Sequence, residues 1–205
     1  MKFTEPVLDN LISLISRLPG LGPKSARRIA LHLLKNKDNL MKPLADTLGI
    51  AHEKILRCKI CGAIKSIDAN CTISKCDYID NSYDQLCIVE NIADMWAMEA
   101  TNIYKGHYHI LGGTLSALNG SDPESLLIGS LIDRVKKNNV KEIIIATSAT
   151  IEGQTTAHYI NDSLKNLNIK ITKLAHGLPV GSEIEYLDDG TLFSAFKNRN
   201  SIGEK

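Results

Sequence analysis

Long hydrophobic runs are missing from this chain of 205 residues. No apolar stretch approaches the roughly 20 residues that a bilayer-spanning helix requires. Little in the opening suits a secretory leader: MKFTEPVLDNLISL carries Glu5 and Asp9 and has no basic flank ahead of an apolar core, so it reads as a poor signal peptide. There is no internal repeat and no low-complexity linker, which excludes a stacked-repeat architecture or domains on a long tether. A global excess of one charge is also absent, since the formal net charge is only +1. What remains is the expectation of a cytoplasmic globular protein with one large domain or two small ones.

The small net charge conceals an uneven distribution. Residues 1–57 hold ten Lys/Arg against five Asp/Glu, a net of +5; residues 58–205 hold fourteen against eighteen, a net of −4. A basic head on a mildly acidic body points to a polyanion contacted at the head. Cysteine is similarly concentrated: four of the five fall between residues 58 and 76. In a cytosolic protein such a cluster argues for metal rather than disulfides.

Apolar periodicity organises the rest. Val7, Leu8, Leu11, Ile12, Leu14, Ile15 and Leu18 recur at helical spacing over 5–18, and PGLGP stops that helix. Ala26, Ile29, Ala30, Leu33 and Leu34 mark a second helix, and one or two more run to Arg57. From residue 85 the texture alternates. QLCIVE, HYHILGG, KEIIIAT and IKITKLA read as strands, with helices over NIADMWAMEAT, GQTTAHYINDSLKNL and DPESLLIGSLIDRVKKNN, the last opened by Asp122 with Pro123 next. Continuous β-rich runs separated by helices predict a largely parallel, buried sheet. The tail HGLPVGSEIEYLDDGTLFSAFKNR predicts a short strand and a short terminal helix.

Three motifs carry chemistry. In LPGLGPKSARR, Gly20 and Gly22 let a partner approach the backbone, because no side chain intervenes. The helix beginning near Lys24 offers unpaired N–H groups and the positive end of its dipole. Lys24, Arg27 and Arg28 add full charges, with Lys2 and Lys37 as weaker candidates. Together they suit a phosphate without regard to base identity; the alternative is a tight helix corner with solvated basic residues. A nucleotide P-loop is excluded, since the G-x-x-x-x-G-K-[ST] pattern is absent and no strand precedes. PGLGPKSA is similar to the helix–hairpin–helix motif of DNA repair proteins.

The second motif is CKICGAIKSIDANCTISKC. Cys58, Cys61, Cys71 and Cys76, with two, nine and four residues between them, can supply four thiolates to one tetrahedral Zn2+. Four thiolates leave no open position, so the expected zinc is structural. Cys87 sits inside QLCIVE and reads as a buried strand residue. The third motif is acidic. Glu90 ends the first strand of the sheet, where α/β folds place functional groups, and ATSATIEGQ follows the third. This layout resembles the Toprim fold of topoisomerases, primases and some nucleases. That fold carries a glutamate after the first strand and Asp-x-Asp before Glu-Gly after the third, for magnesium-assisted phosphoryl transfer. Glu90, Glu152 and Gly153 match, but Ser148 and Thr150 stand where the two aspartates belong. Without those carboxylates a hard cation loses most of its ligand charge.

In this order, and with the tail AHGLPVGSEIEYLDDGTL, the motifs resemble the RecR family of recombination mediators over essentially the whole chain. One departure is the four residues between Cys71 and Cys76, where the family usually has two. The resemblance implies a multi-part α/β chain. Its parts are a helix–hairpin–helix DNA-binding head over 1–56, a zinc finger over 57–80, a Toprim domain over 81–175 and a C-terminal oligomerisation segment over 176–205. It further implies a non-enzymatic DNA clamp, a homotetrameric ring built by exchange of terminal segments. That clamp acts with RecO and RecF to load RecA on gapped or single-stranded DNA, with Glu90 and Glu152 facing a partner protein. It is cytoplasmic and nucleoid-associated during repair. The family's tail has been likened to a Walker B segment, but no Walker A is present, so ATP hydrolysis is not implied. Two other readings stay open: a magnesium-dependent nuclease or topoisomerase-like enzyme, and a zinc-stapled scaffold that binds only protein.

Overall fold

The computed structural model describes residues 5–68, 84–116, 120–138, 140–199 and 201. The chain forms two compact units, one ending at Ile55 and the other beginning at Leu56.

The first unit is helical: α1 (Pro6–Ser16), α2 (Pro23–Lys35), a π-helical turn at Lys37–Met41 and α3 (Lys42–Lys54). Proline occupies the first turn of all three helices, where its missing N–H costs nothing. Ala26 and Ala30 are both 0% exposed and sit with Ile15 and Leu33 in a small core. Alanine at these positions brings the α1 and α2 backbones close.

In the second unit, β1 (Ile55–Arg57) and β2 (Ile64–Ser66) pair around the turn that carries Cys58 and Cys61. A four-stranded sheet follows: β3 (Gln85–Val89), β4 (His107–Ile110), β5 (Glu142–Ala146) and β6 (Lys170–Lys173), in spatial order β4-β3-β5-β6. All three pairings are parallel, as the β-rich runs predict. Side chains alternate across β3. Leu86 and Ile88 enter a core with Leu131 of α5 (Ile128–Lys137) and Ile160 of α6 (Ile151–Leu164). Cys87 and Val89 enter the opposite core, beside Met95 and Met98 of α4 (Ile92–Thr101). Helices thus cover both faces, the arrangement that buries a parallel sheet. Cys87 is fully buried, and burial pushes its thiol up to about 12, so it is an inert core residue.

The connections diverge from the centre: β3 leads to β4 on one side, while β5 leads to β6 on the other. The C-terminal ends of β3 and β5 therefore flank the point where strand order reverses, the usual ligand crevice of open α/β sheets.

Three expectations are corrected. Asp122 does not cap the long helix; α5 starts at Ile128 after Leu127, with no side-chain cap. Asp122 closes a separate turn, its carbonyl accepting from Ser125 N (3.0 Å), while Leu127 N is held by Leu111 O (3.1 Å). That long-range bond fixes the start of the helix. The helix expected from Gly153 begins two residues earlier, because Thr150 caps it. Among the described residues the tail has no strand; Ile184–Tyr186 is a 3-10 turn, followed by α7 (Asp189–Lys197) with Asp188 as its cap. No described helix is long and apolar enough to cross a membrane.

Candidate nucleic-acid interface and acidic site

The hairpin between α1 and α2 is built by a turn, Leu21 N to Leu18 O (3.1 Å), with Gly20 at φ +76°. That left-handed backbone favours glycine. Gly22 differs. It is the N-cap of α2 with an extended backbone that any residue could adopt, and a Cβ there would meet nothing within 4 Å. Among the described residues nothing therefore requires glycine at 22. A bare cap leaves the backbone of the first turn of α2 open to an external group.

Lys24, Arg27 and Arg28 follow at i, i+3 and i+4, so they share one face of α2. All three are exposed, while Ala26, Ala30 and Leu33 face inward. None of the three cations joins an ion pair among the described residues. A bare helix N-terminus beside three cations without ion-pair partners among the described residues has the charge and geometry that suit an anion. Lys37 lies on the π-helical turn after α2, and Lys2 lies outside the described residues.

At the switch point the physics runs the other way. Glu90 follows β3, and its Oε1 accepts from Ser148 N at 2.7 Å, tying the end of β3 to the end of β5. Thr150 Oγ1 accepts from Gly153 N (3.1 Å) and lies 2.7 Å from Ser148 Oγ. Thr147 Oγ1 donates to Gly153 O at 2.9 Å. Glycine is required at 153 by contact: a Cβ would collide with Ser148 O and Oγ and lie 2.9 Å from Glu90 Oε1. The two residues standing in the Asp positions are thus spent on capping α6 and bracing its entry. Glu152, in the first turn of α6, lines a different space, a cavity of about 440 Å3 with Leu115, Ser121, Asp122 and Thr155. Glu90 and Glu152 share no hydrogen-bond partner among the described residues.

Cys58 and Cys61 sit on one turn and are 3% and 4% exposed. Cys58 N donates to Ala63 O (2.8 Å), Gly62 N to Cys58 O (2.9 Å), and Ile60 N to Cys58 Sγ (3.4 Å). Gly62, at φ +78°, packs where a Cβ would strike Ile110 O. Two sulfurs on a tight turn, one of them already accepting an N–H, suit thiolate ligation. Cys71 and Cys76 lie outside the described residues.

Sequence reading misses Thr150 as a cap, although a threonine ahead of the helical run signals one. It also misses Arg134, which α5 buries to 3% exposure; nothing in IDRVKK marks that arginine as interior.

Comparison with known proteins places these elements. Residues 8–52 match the family RecR, helix-hairpin-helix; residues 84–175 match the Toprim domain; residues 177–200 match RecR, C-terminal. A protein of Pelagibacter ubique named Recombination protein RecR is 56% identical over 195 residues, covering 95% of each chain. Proteins of the same name from Sinorhizobium medicae and Rhizobium meliloti are 49% and 50% identical over 201 residues, covering 98% of each chain.

Proposed function

The chain belongs to the RecR family of recombination proteins, and from that premise we propose how its own residues act in recombinational DNA repair. It serves as a recombination mediator, working with RecO and RecF to load RecA on gapped or single-stranded DNA. The observation that carries the mechanism is the bare entry to α2: an N-cap without a side chain, beside the unpaired cations Lys24, Arg27 and Arg28. Contacts to phosphate alone give binding that ignores sequence and weakens with salt. Three cations per chain make a weak grip. A homotetrameric ring of the kind the family forms would multiply that grip through effective concentration and enclose the duplex.

The acidic site supports a non-enzymatic reading on its residues alone. Ser148 and Thr150 are hydroxyls engaged with each other and with α6, and Glu90 is engaged by Ser148 N. That set lacks the carboxylate charge that would hold magnesium against a phosphate. Glu152, lining the neighbouring cavity, would meet a basic partner protein. Zn2+ is proposed as a structural ion held by Cys58, Cys61, Cys71 and Cys76, where it would supply a cross-link in place of a hydrophobic core. With these partners the working location is the cytoplasm, at the nucleoid.

RecA nucleation on gapped DNA coated with single-strand binding protein, in the presence of RecO, tests the function. Lys24→Glu/Arg27→Glu/Arg28→Glu should abolish stimulation while oligomeric mass stays unchanged; full stimulation by that variant would refute the phosphate grip. Supercoiled plasmid with magnesium should stay intact. Nicking that disappears in Glu90→Ala would establish an enzyme instead. For the metal, about one Zn2+ per chain is expected by elemental analysis, falling to none in Cys58→Ser/Cys61→Ser.

A further inference from the structure

A cavity of about 300 Å3 opens in the second unit, lined by none of the residues of the acidic site. Its walls are mostly apolar: Ile64, Ile92, Met95, Trp96, Tyr108 and Ile110. Arg134 also lines it and is only 3% exposed. One guanidinium nitrogen is spent inside the fold: Nη1 donates to Tyr108 O at 3.0 Å and to His109 Nδ1 at 3.1 Å. His109 is fully buried, and burial followed by the Arg134 charge lowers it to about 3, so it is neutral and offers no counter-charge. Its Nε2 donates to Leu127 O at 2.8 Å. Arg134 Nε and Tyr108 Oη are both buried without a hydrogen-bond partner. No ion pair among the described residues includes Arg134.

A buried arginine lining an apolar cavity, with no carboxylate in ion-pair contact among the described residues, is costly. The missing anion and the shape of the space specify a ligand together. The volume is at the lower limit of small-molecule sites, about 300 Å3, enough for one large side chain. The single cation matches a single negative charge. Glu99, exposed and also lining the cavity, would repel a doubly charged phosphate more strongly than a monoanion. We propose that this cavity binds a hydrophobic carboxylate, an apolar group carrying one acid, with Arg134 as its counter-ion and Trp96 at its mouth. Such a group is found on a free small acid and on the last residue of a peptide chain ending in an apolar side chain.

Trp96 is the only tryptophan of the chain and is 59% exposed, so tryptophan fluorescence of the full protein reports on this cavity alone. The titration uses N-acetyl-leucine against N-acetyl-leucine amide, and a Gly-Gly-Gly-Leu peptide with a free against an amidated C-terminus. The acid should bind about tenfold or more tightly than its amide, the effect of a charge-assisted pair. If the peptide acid binds as well as the small acid, the natural source is a chain end; if only the small acid binds, it is a free metabolite. Glu99→Gln, on the surface, should tighten the acid by about twofold and leave the amide unchanged. Arg134→Gln should erase the difference between acid and amide. Should that variant not fold, the wild-type comparison still decides. Equal affinity for acid and amide, or no fluorescence response to either, overturns the proposal.

Discussion

The entry to α2 and the entry to α6 begin from the same local physics and end in opposite states. Each is a loop that turns into a helix, and each presents first-turn N–H groups and the positive end of a helix dipole. At α6 the chain engages its own entry, one donor in the first turn and one just ahead of it. Thr150 Oγ1 takes Gly153 N, Glu90 Oε1 takes Ser148 N, and the space a side chain would need at 153 is occupied. At α2 the cap is a glycine with nothing within 4 Å of its would-be side chain, and the neighbouring cations have no partners among the described residues. A helix N-terminus becomes a ligand site only where the chain leaves it unsatisfied. The acidic site sits where open α/β sheets place a crevice, and its residues bind one another there.

The strongest way to break that contrast is to add one methyl group at each entry. Gly153→Ala must displace the Ser148 backbone and should destabilise the second unit by about 3 kcal/mol, at the upper range for overpacking. A thermal melt showing no loss would mean the packing there is loose. The same substitution at Gly22 should change stability by only about 0.5 kcal/mol and should instead weaken DNA binding, the opposite pattern.

Next in size is Glu90. Glu90→Ala leaves the partly buried Ser148 N without its acceptor and should cost about 2 kcal/mol by urea titration, within the usual range for an orphaned donor. Glu90→Gln keeps an acceptor and should lose much less. Equal losses for the two would mean the carboxylate charge matters more than the hydrogen bond.

A smaller effect separates the two units by pH. Buried His109 stays neutral in the fold, its pKa lowered to about 3 by burial first and Arg134 second. The unfolded chain binds the proton near its ordinary value, roughly 6.5. The fold gains full stability from this above that value and loses it as pH falls toward 3, by up to about 1.4 kcal/mol per pH unit. His32 and His52 of the first unit are exposed. Acid should therefore weaken the second unit first, and His109→Gln should flatten the slope in urea titrations between pH 7 and 5. An unchanged slope would contradict the assignment.

Much of this was legible in the sequence because periodicity is local. The helical spacing from Val7 to Leu18 and the PGLGP stop reappear as elements although Val7, Leu14 and Leu18 are exposed, and the β-rich runs of the sheet reappear because burial on both faces leaves a strong pattern. Glu90 was found at a strand end for the same reason. What stayed hidden depends on distant partners. Asp122 and Pro123 look like a helix start, yet Leu111 sets the start at Ile128 through a hydrogen bond to Leu127. The short strand expected in the tail finds no neighbour to pair with among the described residues, where Ile184 and Tyr186 of the 3-10 turn are 63% and 78% exposed. β1 and β2 are three residues each, too short to leave a period. Arg134 is interior only because His109 and the Tyr108 carbonyl receive it.

The most direct test of the central claim is the salt dependence of binding to gapped DNA, for the wild type and for Lys24→Gln/Arg27→Gln/Arg28→Gln at equal oligomeric mass. Each phosphate contact contributes about 0.7 to 0.9 to the slope of log K against log salt. The wild type should weaken steeply, and the variant's slope should fall by about two to three for every chain in contact with DNA. Parallel lines for the two proteins would contradict the phosphate grip, and would leave the hairpin as a helix corner.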